Sequence, residues 1–199
     1  MKATLDNVLI VLIGFAGTGK YTVGRELCRR TGAKLIDNQL INNPVFMAVD
    51  ADGVRPLPPA VWGKVSVIRA AVYETIREIS PPGLSFVFTL ELLEDDPASV
   101  QAFRDLEELA RLRGGLFVPV RLVCEVEELC RRVTEPSRVE RLKDISPERA
   151  RRKSAVRIVL NPEHANLRTI DVTEQPPSET VDEILREIEL MRSEPLRGK

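Results

Sequence analysis

With 199 residues, 43% hydrophobic and 30% charged, the chain is long enough for one substantial core and reads as a soluble globular protein. A formal net charge of −1 removes any global attraction to nucleic acid or to an anionic membrane, and no apolar run approaches the about 18–20 residues that span a bilayer. Three cysteines (Cys28, Cys124 and Cys130) without CxxC spacing argue against disulfides and zinc; with no secretory apolar core in Met1–Asn7, the expectation is a cytoplasmic protein.

The first predicted element is the apolar run Val8–Ile13, a buried strand. It leads into Gly14-Phe-Ala-Gly-Thr-Gly-Lys20-Tyr-Thr22 and an amphipathic helix, Tyr21–Arg30, closed by Thr31-Gly32. A strand, a glycine loop ending in lysine, and a helix together form the context of a phosphate site. Gly14, Ala16, Gly17, Thr18 and Gly19 offer backbone N–H groups to phosphate oxygens, and the helix N-terminus adds partial positive charge. Lys20 brings a full charge to the β- and γ-phosphates. The next residue is ordinarily Ser or Thr, whose hydroxyl ligates Mg²⁺. Here it is Tyr21, whose phenol is a poor substitute for that short hydroxyl, and Thr22 is left to meet the α-phosphate. The motif implies a bound nucleoside triphosphate, and the absence of a guanine-reading NKxD pattern leans toward ATP.

A short strand follows at Lys34–Ile36, running into Asp37. Asn42-Asn43-Pro44 and Asp50–Pro59 read as breaks, and Pro59–Ile79 as a helix with Val61, Val65, Ile68, Val72 and Ile76 at three- and four-residue steps. Leu84–Leu90 is a second buried strand, Pro97–Arg113 a helix ended by Gly114-Gly115, and Leu116–Val123 another strand. Glu125–Val133 is a short helix, Thr134–Arg157 a charged stretch, Leu167–Val172 the last strand and Ser178–Met191 the last helix. This alternation predicts an α/β fold of three layers, a parallel five-stranded sheet with helices on both faces, in a single domain over residues 1–191 with a fraying tail at 192–199. Ligands in such folds lie beyond the carboxyl ends of the strands, so the residues to examine are the glycine loop, Asp37, Thr89 to Glu91, and Cys124-Glu125.

GFAGTGKYTVGREL (Gly14–Leu27) resembles the opening of the shikimate kinases, which read GxxGxGKxTxGRxLA. The layout continues over nearly the whole chain, while close motif identity is confined to this segment. The resemblance implies a small phosphate-loop (P-loop) fold with a substrate-binding helical region after the second strand and a mobile lid, here about residues 134–153. It also implies transfer of the γ-phosphate of ATP, with Mg²⁺, to a hydroxyl of a small molecule. Adenylate kinases, which read GKGT, also lack the hydroxyl after the lysine and hold the metal largely through water.

Shikimate kinases carry FxDxD at the second strand. Asp37 matches the first Asp, implying a metal-water ligand or a base for the attacking hydroxyl, and Gln39 stands where the second would be, able to orient substrate but not to take a proton. The family's three glycines after the third strand are replaced by Thr89-Leu90-Glu91-Leu92, which with Gln39 argues against shikimate as the substrate. In the lid, Arg131 (or Arg132) matches the arginine that stacks on adenine, and Arg138, with Arg141 as an alternate, the one that neutralises the transferred phosphoryl. Arg69 lies near a substrate-carboxylate arginine of the family, while Arg25 reads as structural support. Arg149 to Lys153 reads as a solvated helix face, and His164 as part of a turn.

Three functions compete at this level: a small-molecule kinase, a nucleotide-binding regulator that has lost phosphotransfer (suggested by Tyr21 and Gln39), and a nucleotide or RNA-end kinase. The neutral net charge and the lack of a basic–aromatic stripe count against extended nucleic-acid contact. Nothing in the sequence signals an oligomeric state.

Overall fold

A computed structural model describes residues 4–52, 55–136, 138 and 144–193. Five parallel strands, β1 (Val8–Ile13), β2 (Lys34–Asp37), β3 (Phe86–Leu90), β4 (Leu116–Val123) and β5 (Arg168–Asp171), stand in the order β2-β3-β1-β4-β5. β1 is central, and every one of its six residues is buried, which explains its unbroken apolar run. Alternate residues serve opposite faces. Val8, Ile10 and Leu12 pack against α1 (Lys20–Thr31) and α7 (Pro177–Ser193), through Val23, Leu27, Val181, Ile184 and Ile188. Leu9, Val11 and Ile13 face α3 (Ala60–Glu78) and α4 (Pro97–Leu112), meeting Ile76, Phe103, Leu106 and Leu109.

Leu106 is fully buried in that second layer. Leu106→Ala is expected to cost about 2–5 kcal/mol, through lost transfer energy and the cavity left behind, and to lower the urea midpoint accordingly. A loss under about 1 kcal/mol would mean that the layer packs loosely there.

The chain departs from the sequence pattern in two places. Asn42-Asn43-Pro44 is not a break: α2 (Asn38–Ala48) runs through it. Pro44 sacrifices one backbone donor, but Ile41 and Phe46 of α2 are buried against Val61 and Val65 of α3, and that burial outweighs the proline's local preference. The helix expected at Arg149 to Lys153 is α6 (Pro147–Val156), capped by the Ser146 side chain, which accepts from Arg149 N–H at 3.2 Å. α7 extends through Arg192 and Ser193, and the rest of the predicted tail lies outside the described residues.

Two loop glycines are demanded by close backbone approach. A Cβ on Gly14 would lie 2.7 Å from the carbonyl oxygen of Leu122 in β4. One on Gly17 would lie 2.9 Å from that of Leu129, in α5 (Val126–Val133), and Gly17 also has φ +93°. Among the described residues no helix is long and apolar enough to cross a membrane.

Candidate functional site

The carboxyl ends of β1, β2 and β3 open into one cleft of about 1330 Å³. Its floor is the glycine loop: Ala16, Gly17, Thr18, Gly19, Lys20, Tyr21 and Thr22 all line it, with Gly14 buried beneath. Gly19 caps α1 in a left-handed conformation, φ +81°, directing the helix N-terminus into the cleft. Lys20 Nζ bends over the loop and donates to the carbonyl oxygens of Gly14 (2.6 Å) and Phe15 (2.7 Å) and to Thr18 Oγ1 (3.3 Å). Tyr21 is half-buried with the Arg25 guanidinium 5.8 Å from its ring centroid, and Thr22 is exposed at the rim.

Asp37 and Thr89 are register partners at the ends of β2 and β3. Asp37 stands at the N-cap of α2 but makes no side-chain capping bond; its Oδ1 accepts from Thr89 Oγ1 at 2.5 Å, buried at the cleft wall. Thr89 in turn accepts from Asn38 N–H at 3.2 Å. The residue after β3, Glu91, accepts from the loop amide of Ala16 at 2.9 Å and forms an ion pair with Lys153.

The second wall comes from α2 and α3. Asn38, Gln39, Asn42 and Arg69 face the cleft, and each has a buried polar atom with no hydrogen-bond partner among the described residues: Asn38 Oδ1, Gln39 Oε1, Asn42 Oδ1 and Arg69 Nε. Two further buried atoms, Asn43 Oδ1 and Arg121 Nε, lack partners among the described residues away from the cleft, so what distinguishes this wall is that its polar side chains line the cleft together. Trp62 and Phe46, edge-to-face at 5.8 Å, supply its apolar part. Tyr73 packs on Phe88 instead, and burial pushes its phenol above the usual range.

The third wall is formed by α5, Arg138 and α6. Arg131 lies outside the cleft, exposed, with both its Nε and Nη2 donated to Glu128 at 2.7 Å. Its neighbour Arg132 lines the cleft beside Val172, Gln175 and Pro177, held by Glu128 and by the carbonyls of Val172 (2.8 Å) and Thr173 (2.9 Å). The hydrogen bonds from Arg131 and Arg132 pull the Glu128 carboxyl down to about 2 against the opposing effect of desolvation. Helical phase separates the two neighbours: Leu129, Cys130 and Val133 are the buried face of α5, and Arg132 flanks it.

Arg138 is half-buried in the cleft, donating Nε and Nη2 to the Asp144 carbonyl (3.1 and 2.8 Å). Burial lowers its pKa, while the charges of Asp144, Glu135, Glu91 and Asp37 act the other way. Arg141, the alternate lid arginine, lies outside the described residues. α6 has no buried residue, and Arg151 and Arg152 are exposed, as a solvated face requires, but Arg149 and Lys153, only partly exposed, also line the cleft because α6 packs on α5. Arg151 pairs with Glu127, and Cys130 Sγ donates to the Pro147 carbonyl at 3.4 Å, which turns the Arg149–Lys153 side inward.

His164 packs edge-to-face on Phe117 (5.3 Å) and accepts from Asn166 N–H at 3.0 Å, away from the cleft. Burial holds its pKa below the ordinary value. The folded state therefore binds this proton more weakly than the unfolded chain, and stability falls as pH drops through about 6.5. The thermal midpoint should decline across that range, and His164→Gln should flatten the decline; an unchanged profile would assign the pH dependence to carboxylates.

No protein-family model matches the sequence, and no curated protein matches it. Solved structures do. A gluconokinase from Sinorhizobium meliloti 1021 superposes with TM-score 0.59 at 20% identity, over 96% of this chain and 93% of that one. A sugar kinase from Janibacter sp. HTCC2649 gives 0.61 at 19% identity (91% and 94%). A shikimate kinase from Acinetobacter baumannii in complex with shikimate gives 0.52 at 19% identity (96% and 97%). The strand order, the parallel sheet and the glycine loop agree with this likeness, and the chain has the fold of the P-loop kinases.

Proposed function

We propose that the protein is an ATP-dependent phosphotransferase that moves the γ-phosphate to a hydroxyl of a small molecule. One observation carries this reading: the phosphate loop shares a single cleft with a wall of polar side chains, Asn38, Gln39, Asn42 and Arg69. A nucleotide switch needs only the first feature, whereas a kinase also needs polar groups beside the phosphates to hold an acceptor.

In this reading the loop amides and Lys20 hold the phosphates, and Lys20 exchanges its carbonyl partners for phosphate oxygens. Arg132, in place of Arg131, stacks on the adenine beside Gln175 and Pro177. Gln39 and Arg69, with Asn38 and Asn42, hold the acceptor, and Asp37 takes its hydroxyl proton as the new oxygen–phosphorus bond forms and the bond to ADP breaks. Arg138 neutralises charge on the transferred group.

Mg²⁺ fits this site as an ion brought by the nucleotide. Tyr21 gives it no short hydroxyl, and no group of three or more His, Cys, Asp or Glu suited to a metal occurs among the described residues. Asp37 is the side chain that would hold it through water, and the ion would supply charge neutralisation on the phosphates.

The test is ADP release with ATP and Mg²⁺ against pools of hydroxyl metabolites, sugars, nucleosides and aminocyclitols, with Lys20→Ala beside the wild type. A pool that stimulates release only in the wild type supports the kinase and begins to identify the acceptor. Nucleotide binding with no stimulation by any pool would favour the regulator. Binding that collapses with added salt would favour an RNA-end kinase.

A further inference from the structure

We propose that Glu91 is a resting-state stand-in for the terminal phosphate of the nucleotide, and that Lys153 is the cation that grips that phosphate once nucleotide is bound. The inference rests on the nucleotide site of the phosphotransferase reading and adds to it a residue on α6 that recognises the phosphate to be transferred.

The geometry is specific. Glu91 directs one carboxylate oxygen to the loop amide of Ala16, at 2.9 Å, and the other to Lys153 Nζ. An anion thus already sits between a phosphate-loop N–H and an ammonium. A phosphoryl group also carries its charge on oxygens about a carboxylate's width apart and can bridge the same two donors. The location identifies which phosphate. Arg132, Val172, Gln175 and Pro177 line the part of the cleft that the proposed function gives to the nucleobase, whereas Glu91 follows β3, two residues past Thr89, the register partner of Asp37. The Ala16 amide therefore meets the phosphate nearest the acceptor.

Lys153 is placed to change partners without movement of its helix. α6 is fixed to α5 through Arg151–Glu127 and Cys130–Pro147, while the Lys153 side chain remains 43% exposed on a flexible stem. An incoming phosphate that displaces Glu91 from the amide takes over both contacts, and the carboxylate withdraws from the new negative charge. The competing view is an ion pair that merely ties α6 to the sheet. Such a tie is indifferent to which nucleotide is present, and this separates the two.

The experiment is calorimetric binding of Mg·ADP and of Mg·AMPPNP, an ATP analogue that does not transfer phosphate, to the wild type, Lys153→Met, Lys153→Arg and Glu91→Gln. Lys153→Met should weaken AMPPNP about tenfold or more while leaving ADP within about twofold, since a hydrogen bond to a charged group is lost only where the γ-phosphate is present. Lys153→Arg should retain most of the preference. Glu91→Gln should tighten AMPPNP more than ADP, because a competing charge is removed. Equal changes for both nucleotides, or none, would overturn the proposal, as would Glu91→Gln weakening AMPPNP selectively. Phosphate transfer is not read, so a wild type that binds both nucleotides but never turns over leaves this test standing while the kinase reading falls. A wild type that binds neither sinks both.

Discussion

Lys20→Ala is expected to reduce acceptor-stimulated ADP release by at least about 10²–10³-fold, the scale on which a preorganised charge at a transition state is lost. The substitution should also abolish the thermal stabilisation that ATP confers. The lysine's resting contacts make the expectation specific. Its ammonium is already held over the loop by the carbonyls of Gly14 and Phe15, so phosphate binding need only exchange its partners, with little side-chain ordering left to do. Lys20→Arg should recover little, because a planar fork cannot reproduce a compact charge lodged between two carbonyls and Thr18. Retention of nucleotide-dependent stabilisation in Lys20→Ala would show that phosphate binding does not run through the loop.

The second large effect is expected at Asp37. Asn keeps an oxygen to accept from Thr89 Oγ1 and fits the same buried volume, so the fold should stand. What disappears is the negative charge at the meeting point of β2, β3 and the acceptor wall. Turnover should fall by roughly 10²–10⁴-fold, the range for loss of a positioned base. ATP binding measured without Mg²⁺ should be unchanged, and a shift only in its Mg²⁺ dependence would assign Asp37 to the metal instead. Wild-type turnover in Asp37→Asn would remove the residue from the mechanism altogether.

The place of both residues in the cleft is legible from the sequence because local pattern alone fixes it: each follows an apolar strand, with a glycine loop or a polar run beside it. The five strands and most helices were readable for the same reason, since burial on both faces leaves unbroken apolar runs and helices repeat at three and four. Pro44 reads as a break on local preference alone, and what overrides it, the apolar contacts of Ile41 and Phe46 with α3, is made to residues far along the chain. Arg131 and Arg132 are adjacent, and neighbours on a helix point about 100° apart, so the choice required knowing which face of α5 is buried. Glu91 and Lys153 are separated by 62 residues, and no short-range signal could join them. A sequence clue to Lys153 did exist: Ser146-Pro147 followed by Glu148 is a helix start, from which the inward side of the segment could have been counted.

The glycine at position 17 does more than shape the loop. It allows the loop to sit within contact distance of the α5 backbone at Leu129, one turn before Arg132, while Gly14 docks the same loop on β4. In the proposed function, phosphate floor and nucleobase wall are therefore packed as one piece. Re-engineering the protein toward another nucleobase by tilting α5 would drag the phosphate amides out of alignment, and triphosphate affinity would fall together with base preference. Base selectivity can be altered independently only by exchanging side chains on a stationary helix, with Arg132 and Gln175 as the positions to vary.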